Sequence, residues 1–207
     1  MPNYKNQAVW VNEYKTKPTV GPASIKTPGD NELLIETKAA AINIADWCVV
    51  DGLFSLPCPF TLGCDVIGKV VQVSENENDF KVGDRVLSNC RGVVKNGIGG
   101  YAFQLYTTVD QTCTAKVPEN YSTEEFIDLV ALPLTFFTAA SGLYQKGYLE
   151  LDLPSANGKS KENSKKDLVV IVWGGGSGVG ANAVQLASSS GYESVFSMLF
   201  QAQIRLS

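Results

Sequence analysis

Short apolar segments separated by turn residues fill the first half of the chain. Gly, Pro, Asn and Asp stand between these segments, which is the pattern of strands joined by close turns. The predicted strands are residues 7–11, 32–40, 66–73, 85–88 and 102–109. Because many short strands with close turns are typical of a small barrel or sandwich, we predict a β domain in this half.

The pattern becomes helical in the second half. Ser122 is followed by Thr-Glu-Glu, an N-cap with acidic residues in the first turn, which predicts a helix toward Val130. Pro133 interrupts this pattern, and residues 135–144 can form a second helix. Residues 155–167 are polar and lysine-rich, so they cannot form core. We interpret them as an exposed loop, with docking of an acidic partner as the alternative.

A continuous apolar run at residues 168–173 begins the last predicted unit. Because it lacks the alternation of a half-exposed strand, we predict a strand buried on both faces, as in a parallel sheet. Glycines follow, and residues 179–190 predict a helix. Its inward face is expected to carry Val184, Leu186 and Ala187. With a second strand at residues 193–196, the order is the β-α-β unit of nucleotide-binding sheets.

Composition narrows the classes of function. The 207 residues are 44% hydrophobic, which is enough to build the core of one or two domains. A net charge of −4 gives little attraction to nucleic-acid phosphates or anionic lipid, so we expect neither nucleic acid nor membrane as a partner. Apolar runs stay shorter than the roughly 18 residues of a membrane helix, and the N-terminus lacks the pattern of a secretory signal.

Cysteine and histidine contents limit the chemistry further. Five cysteines, an odd number without a CxxC pair, are predicted to be reduced thiols of a cytoplasmic protein. Histidine does not occur in the sequence, which removes the commonest general base and the commonest metal ligand. Catalysis would therefore depend on a cofactor or on Tyr, Ser, Thr, Asp, Glu, Lys or Cys.

A glycine-rich turn between the apolar run and the next helix is the main candidate for ligand binding. It comprises Gly174, Gly175, Gly176, Ser177, Gly178, Val179 and Gly180. Glycine permits the close backbone approach that a dinucleotide pyrophosphate needs, and the N–H groups at a helix start attract its charge. The strict GxGxxG spacing is not met, because Ser177 takes the middle glycine position. The alternative is a flexible glycine-rich loop without a ligand.

Several motifs occur in an order that resembles one superfamily. They are AINIADW at residues 41–47, PFTLGCDVIGKVVQVSENENDFKVGDRV at 59–86, GGYA at 99–102, LPLTFFTA at 132–139, and the glycine-rich turn followed by QLA at 185–187. Together they resemble the medium-chain dehydrogenase/reductase superfamily. The likeness is closest to its zinc-free enoyl and quinone reductase branches, especially fungal trans-acting enoyl reductases and toxD-like oxidoreductases.

This resemblance implies an α/β protein in which a GroES-like β-barrel domain precedes a Rossmann domain. We expect the GroES-like catalytic domain at residues 1–120. Linking helices and an incomplete Rossmann domain, only its opening βαβ unit, are expected at residues 121–207. The resemblance also implies NADPH and hydride transfer to an activated C=C bond or a quinone-type substrate. We expect a chain truncated at its C-terminus. The alternative to a reductase is a truncated, non-catalytic fragment of one, with weak or no cofactor binding.

Compared position by position, the resemblance argues against a metal site. Zinc-dependent relatives have a Cys where this chain has Asn43 and a His where it has Cys64. One thiol is not a zinc site, which needs three or four ligands, so we expect no metal. Mitochondrial-type enoyl reductases carry a Tyr where Phe54 stands here, and Phe cannot donate a proton.

The resemblance also implies roles for individual residues. Asn43 and Asp46 would line the cleft for substrate and nicotinamide, or alternatively form a turn-stabilising pair. Thr138 would contact the nicotinamide or its ribose, or alternatively bond its own helix backbone. Residues 177–179 would meet the pyrophosphate. The implied substrate is a small molecule or an acyl thioester, with an acyl carrier or a polyketide synthase as the partner.

Overall fold

The computed structural model describes residues 5–54, 56–74, 79–90, 101–154 and 168–198. The chain divides into two compact units, residues 1–133 and residues 134–207. The first unit contains, in chain order, β1 (Asn6–Val11), β2 (Thr19–Ala23), β3 (Glu32–Ala41), α1 (Ile44–Val50), β4 (Phe60–Thr61), β5 (Asp65–Val73), β6 (Arg85–Asn89), β7 (Tyr106–Asp110), β8 (Thr114–Lys116) and α2 (Thr123–Asp128). The elements that follow are α3 (Pro133–Tyr144), β9 (Val169–Trp173), α4 (Gly178–Ser189) and β10 (Ser194–Met198).

Two antiparallel sheets form the first unit. One has the strand order β7-β3-β5-β6-β8, and the other has the order β2-β1-β4. The irregular segment 101–105 joins them, because Val9 N–H donates to the Phe103 carbonyl (3.0 Å) and Thr37 N–H donates to the Leu105 carbonyl (2.9 Å). The sheets are therefore connected through one segment into a barrel-like arrangement, as the short strands predicted.

Four of the five predicted strands are confirmed to within one residue at each end. The fifth, predicted at residues 102–109, begins late: regular pairing starts only at Tyr106 and ends at Asp110. Residues 101–105 divide their hydrogen bonds between two sheets, so they cannot continue the ladder of one neighbour.

Buried side chains form two clusters that position the site. The larger consists of Leu33, Ile35, Val66, Val70, Val86, Cys90, Ala102 and Val109. The second consists of Val11, Val49, Phe60 and Leu62. Val49 lies on α1, so this second cluster fixes α1 against β1 and β4. Phe103 packs against both clusters and thereby couples the position of α1 to the larger sheet.

Helix α2 begins at the predicted cap. Ser122 Oγ accepts the Glu125 N–H (3.2 Å), and the Glu125 carboxylate accepts the Ser122 N–H (2.8 Å), which completes a capping box. Arg85 donates to the Tyr121 carbonyl (2.7 Å), and its guanidinium lies 4.1 Å from the Phe126 ring centroid. These contacts hold α2 on the β strands. The compact unit that contains α2 extends to residue 133.

The second unit contains the predicted β-α-β arrangement. Strands β9 and β10 pair in parallel, with Ile171 opposite Phe196. Helix α4 connects them in sequence and covers one face of the pair through the cluster of Val170, Ala187 and Tyr192. Helix α3 begins at Pro133 itself, because a first-turn proline needs no N–H partner.

The prediction that the first strand of this unit is buried on both faces is wrong for the described residues. Val170 is 9% exposed, but Val169, Ile171 and Trp173 are 55%, 67% and 68% exposed. Their neighbours Phe196 and Met198 on β10 are exposed as well. Within the described residues α4 covers one face of the pair, and a continuous apolar run cannot show which face a helix will cover.

Among the residues that the structure describes, no single helix is long and apolar enough to cross a membrane. The segments Thr123–Ala131 and Pro133–Tyr144 satisfy the length and composition criteria only together, as a bent pair. The predicted loop at residues 155–167 lies outside the described residues.

Candidate functional site

Asn43 and Asp46 lie together where β3 ends and α1 begins. The Asn43 N–H donates to Asp46 Oδ2 (2.8 Å), and the Gly63 N–H donates to Asp46 Oδ1 (3.0 Å). Asp46 is 5% exposed, so both carboxylate oxygens are satisfied inside the protein. In this arrangement the pair ties α1 to the loop before β5, which is the turn-stabilising alternative. A role for Asn43 and Asp46 toward substrate stays a prediction.

A second buried carboxylate lies next to this pair. Asn43 Nδ2 donates to Asp65 Oδ2 (3.0 Å), and Asn89 Nδ2 donates to Asp65 Oδ1 (3.1 Å). Asp65 is fully buried and faces Asn89 across β5 and β6. Sequence reasoning did not single out Asn89, because its importance follows from the register of two strands rather than from a motif. This network holds the Asn43 side chain in place, because its amide group donates to Asp65.

Burial and charge determine the protonation of this cluster. Burial raises the pKa of Asp46, although the N–H groups of Asn43 and Gly63 oppose that shift. Burial, followed by the charges of Asp46 and Asp65, raises the pKa of Cys64 to about 12. Cys64 therefore remains a thiol at neutral pH, whereas metals and electrophiles react with thiolate. Among the described residues, no group of three His, Cys, Asp or Glu side chains could hold a metal ion.

An open cavity of about 740 Å³ borders Asp46 in the first unit. Its lining is mainly apolar and includes Val9, Ala40, Ile42, Trp47, Val50, Leu62 and Phe103. Lys15, Lys17 and Asp51 add charge to the lining. Ile42 and Trp47 are 83% and 69% exposed, and clustered exposed apolar side chains mark binding surfaces. The volume is within the range of small-molecule sites.

The glycine-rich turn connects β9 with α4. Ser177 caps α4: its Oγ accepts the Gly180 N–H (3.0 Å), and its hydroxyl donates to the Gly174 carbonyl (2.9 Å). Gly174 has a φ of +80°, in the left-handed region that favours glycine. A Cβ on Gly180 would lie 2.3 Å from the Gly174 carbonyl oxygen. The turn can therefore approach the helix this closely only with glycine at position 180.

Packing distinguishes Gly175 and Gly180 from the exposed residues of the turn. A Cβ on Gly175 would lie 1.8 Å from Ser197 Oγ and would displace that side chain, whereas a Cβ on Gly180 would meet backbone atoms. Residues 176–179 are exposed and form the outer surface of the turn. The first N–H groups of a helix have no acceptor within it, and this surface therefore fits a pyrophosphate.

Helix α3 carries the remaining predicted residue, Thr138. Its side chain is exposed, and its hydroxyl donates to the Leu134 carbonyl of the same helix (2.7 Å). Thr135 of α3 lies against the turn, because a Cβ on Gly178 would lie 2.9 Å from Thr135 Cγ2. Thr135 Oγ1 also accepts a hydrogen bond from Asn182 Nδ2 (3.0 Å). Sequence reasoning missed Thr135 and Asn182, whose contact joins two helices.

Comparisons with known proteins agree with this architecture. Residues 29–119 match the Alcohol dehydrogenase GroES-like domain family. The trans-enoyl reductase himH of Aspergillus japonicus is 37% identical over 192 residues, covering 92% of this chain and 53% of that protein. The chain spans about half the length of the curated relatives it matches.

Solved structures match the chain across both units. An alcohol dehydrogenase superfamily protein from Novosphingobium aromaticivorans has a TM-score of 0.74 and 25% identity, covering 94% of this chain and 53% of that one. CurK enoyl reductase has a TM-score of 0.70 and 25% identity, covering 95% of this chain and 55% of that one.

These findings confirm the predicted α/β architecture, a GroES-like N-terminal region followed by a partial Rossmann-like region. The branch that they indicate comprises oxidoreductases that use NAD(P)H. The matches support the medium-chain dehydrogenase/reductase superfamily, in its enoyl and quinone reductase branch, as the family that this chain resembles.

Proposed function

We propose that this chain provides the substrate site and the first part of the cofactor site of an NADPH-dependent oxidoreductase. The reaction is reduction of an activated C=C bond of an enoyl group, or of a quinone-type substrate, without zinc. The observation that carries the proposal is the glycine-rich turn, which Ser177 closes against Gly174 and joins to the start of α4. A turn of this geometry presents backbone N–H groups to an anion.

The cofactor would be held through its pyrophosphate by the exposed residues 176–179. Gly174, Gly175 and Gly180 keep the turn compact, because side chains there would strain the backbone or strike neighbouring atoms. When bound, NADPH supplies the hydride. Thr138 is proposed to contact the nicotinamide or its ribose. Its hydroxyl hydrogen is engaged by Leu134, but its oxygen can still accept a hydrogen bond.

The cavity beside Asp46 is proposed to hold the apolar part of the substrate. Its mainly apolar lining favours an apolar group, and its volume of about 740 Å³ accommodates an acyl chain or a ring system. Asn43 and Asp46 are proposed to orient the polar end of the substrate. Two backbone N–H groups fix the Asp46 carboxyl, so it can serve as a rigid reference point for that end.

Charge at the cavity supports an acyl thioester delivered by an acyl carrier or a polyketide synthase as the partner. Lys15 and Lys17 line the cavity and are exposed, so their ammonium groups can steer a phosphate-bearing or acidic carrier. We place this activity in the cytoplasm, since all five cysteines are in the described part of the chain and carry free thiols.

A labelled-hydride experiment tests the proposed reaction. The 207-residue chain is incubated with NADPH deuterated at the transferred position and either a 2-enoyl thioester or a quinone. Transfer of one deuterium to the β-carbon of the thioester, with one NADP⁺ formed per product, supports enoyl reduction. NADPH oxidation with the quinone alone supports the quinone-type reaction. If NADPH is not oxidised with the thioester or with the quinone, the chain has no reductase activity and the proposal is refuted.

One observation favours a second candidate, a non-catalytic fragment with weak or no cofactor binding. Val169, Ile171 and Trp173 of β9 and Phe196 of β10 expose large apolar side chains, and such surfaces promote association. Sedimentation over a concentration series separates the candidates. A monomer that binds NADPH saturably supports the reductase, whereas concentration-dependent association without NADPH binding supports the fragment.

A further inference from the structure

The Tyr101 hydroxyl is buried without a hydrogen-bond partner among the described residues. Tyr101 is 3% exposed. Hydrogen bonds to its backbone carbonyl fix its position. Gln104 Nε2 and Thr107 Oγ1 both donate to the Tyr101 carbonyl, at 2.9 Å and 2.8 Å. Leaving a buried hydroxyl unpaired is costly, so this orientation indicates a ligand for the hydroxyl.

A small chamber of about 20 Å³ adjoins Tyr101. Its wall includes Asp46 and Cys64 together with apolar side chains such as Val49 and Leu62. One water molecule needs roughly 10–15 Å³ and two to four polar partners. The chamber satisfies the volume requirement, and three of its lining residues, Asp46, Cys64 and Tyr101, carry a polar side chain.

The electrostatic effects among these residues indicate that they lie near one another. Burial raises the pKa of Tyr101, and Cys64 raises it further. The charge of Asp46 in turn raises the pKa of Cys64. Each Asp46 oxygen accepts one backbone N–H, and a carboxylate oxygen has a second acceptor position. Asp46 also borders the large cavity, so it is a lining residue of both the chamber and the proposed substrate site.

We propose that this chamber holds one internal water molecule that accepts a hydrogen bond from Tyr101 and donates one to Asp46. Tyr101 is then a positioning residue, which acts on the substrate site through Asp46. The water site stands on the chamber alone, whereas the positioning role rests on the proposed function. If the labelled-hydride experiment shows no hydride transfer, the positioning role is refuted. The water site is then still tested by the NMR titration below.

Carboxyl ¹³C NMR across a pH series tests the water site directly, with Asp46→Asn identifying the Asp46 resonance. Tyr101→Phe is expected to raise the Asp46 titration midpoint by about half a unit to one unit, because the carboxylate loses a hydrogen-bonded chain. The titratable groups around Asp46 are Cys64, Asp65, Tyr101, Lys15, Lys17 and Asp51. All but Tyr101 are retained in the variant. Tyr144→Phe is the matched control, because the Tyr144 hydroxyl contacts Leu186 and Ser190 in the second unit. This variant should leave the Asp46 titration midpoint unchanged.

A second variant keeps every polar group in place. Val49→Ile adds one methylene to the chamber wall and is expected to displace the water, so it should shift the Asp46 midpoint upward as Tyr101→Phe does. A crystal structure should show an ordered water within about 3.2 Å of Tyr101 Oη. An Asp46 midpoint that neither variant moves overturns the proposal, and so does an ordered structure without that water.

Discussion

Gly180 is the position in the glycine-rich turn where a side chain would meet backbone most closely. A Cβ there would lie 2.3 Å from the Gly174 carbonyl oxygen and 2.7 Å from Gly175 Cα. Both are backbone atoms, so relief requires the turn or α4 to move. Such overpacking costs about 1–3 kcal/mol, and alanine recovers about 0.5–1 kcal/mol through its helix propensity. We expect Gly180→Ala to lower the free energy of unfolding by about 1–2 kcal/mol.

Gly142 provides the matched control for this prediction. It lies in α3, and a Cβ there would meet no atom within 4 Å. Gly142→Ala should therefore raise the free energy of unfolding by up to about 1 kcal/mol. Urea unfolding followed by far-ultraviolet circular dichroism measures both variants. If Gly180→Ala gains stability as Gly142→Ala does, the turn is not packed as described and the reasoning fails.

Three further predictions concern the two sites. Asn43→Ala removes one donor from buried Asp65 and should lower the free energy of unfolding by about 1–3 kcal/mol; the exposed Asn12→Ala should change it by less than about 0.5 kcal/mol in the same urea assay. Because the Asp46 pKa is raised above its ordinary value of 3.8, its contribution to stability is full below pH 3.8 and is lost as the pH rises through the folded-state pKa. Asp46→Asn should reduce this loss of stability with rising pH. If the free energy of unfolding depends on pH in the same way in the variant, the raised Asp46 pKa is contradicted. Thr138→Val should weaken NADPH binding severalfold with little effect on unfolding, and equal affinity would remove Thr138 from the cofactor site.

Local patterns predicted part of the fold, whereas β2, β4, β8 and α1 were not predicted. Turn residues and short apolar runs located four of the β strands, and Ser122 located the start of α2. The path of residues 101–105 was not predictable in this way, because these residues bond to two sheets at once. The exposed face of β9 was not predictable either, since an apolar run carries no information on which neighbours cover it.

In the candidate site, too, local patterns could be predicted and contacts between distant residues could not. The glycine-rich turn could be predicted because five of its seven residues are glycine, and the structure shows what a side chain at Gly175 or Gly180 would meet. The contact of Thr135 with Asn182 and that of Asp65 with Asn89 join residues distant in sequence. Such pairs depend on helix packing and strand register, which a single sequence does not specify.

Cofactor binding at the glycine-rich turn is the central claim, and a fluorescence titration of the 207-residue chain with NADPH tests it most directly. We predict saturable enhancement of NADPH fluorescence by the wild-type chain. Ser177→Ala should bind about fivefold more weakly, because loss of the cap costs about 1 kcal/mol, and Gly142→Ala should bind like the wild type. Absence of saturable binding, or equal affinity of Ser177→Ala and the wild type, would contradict the account.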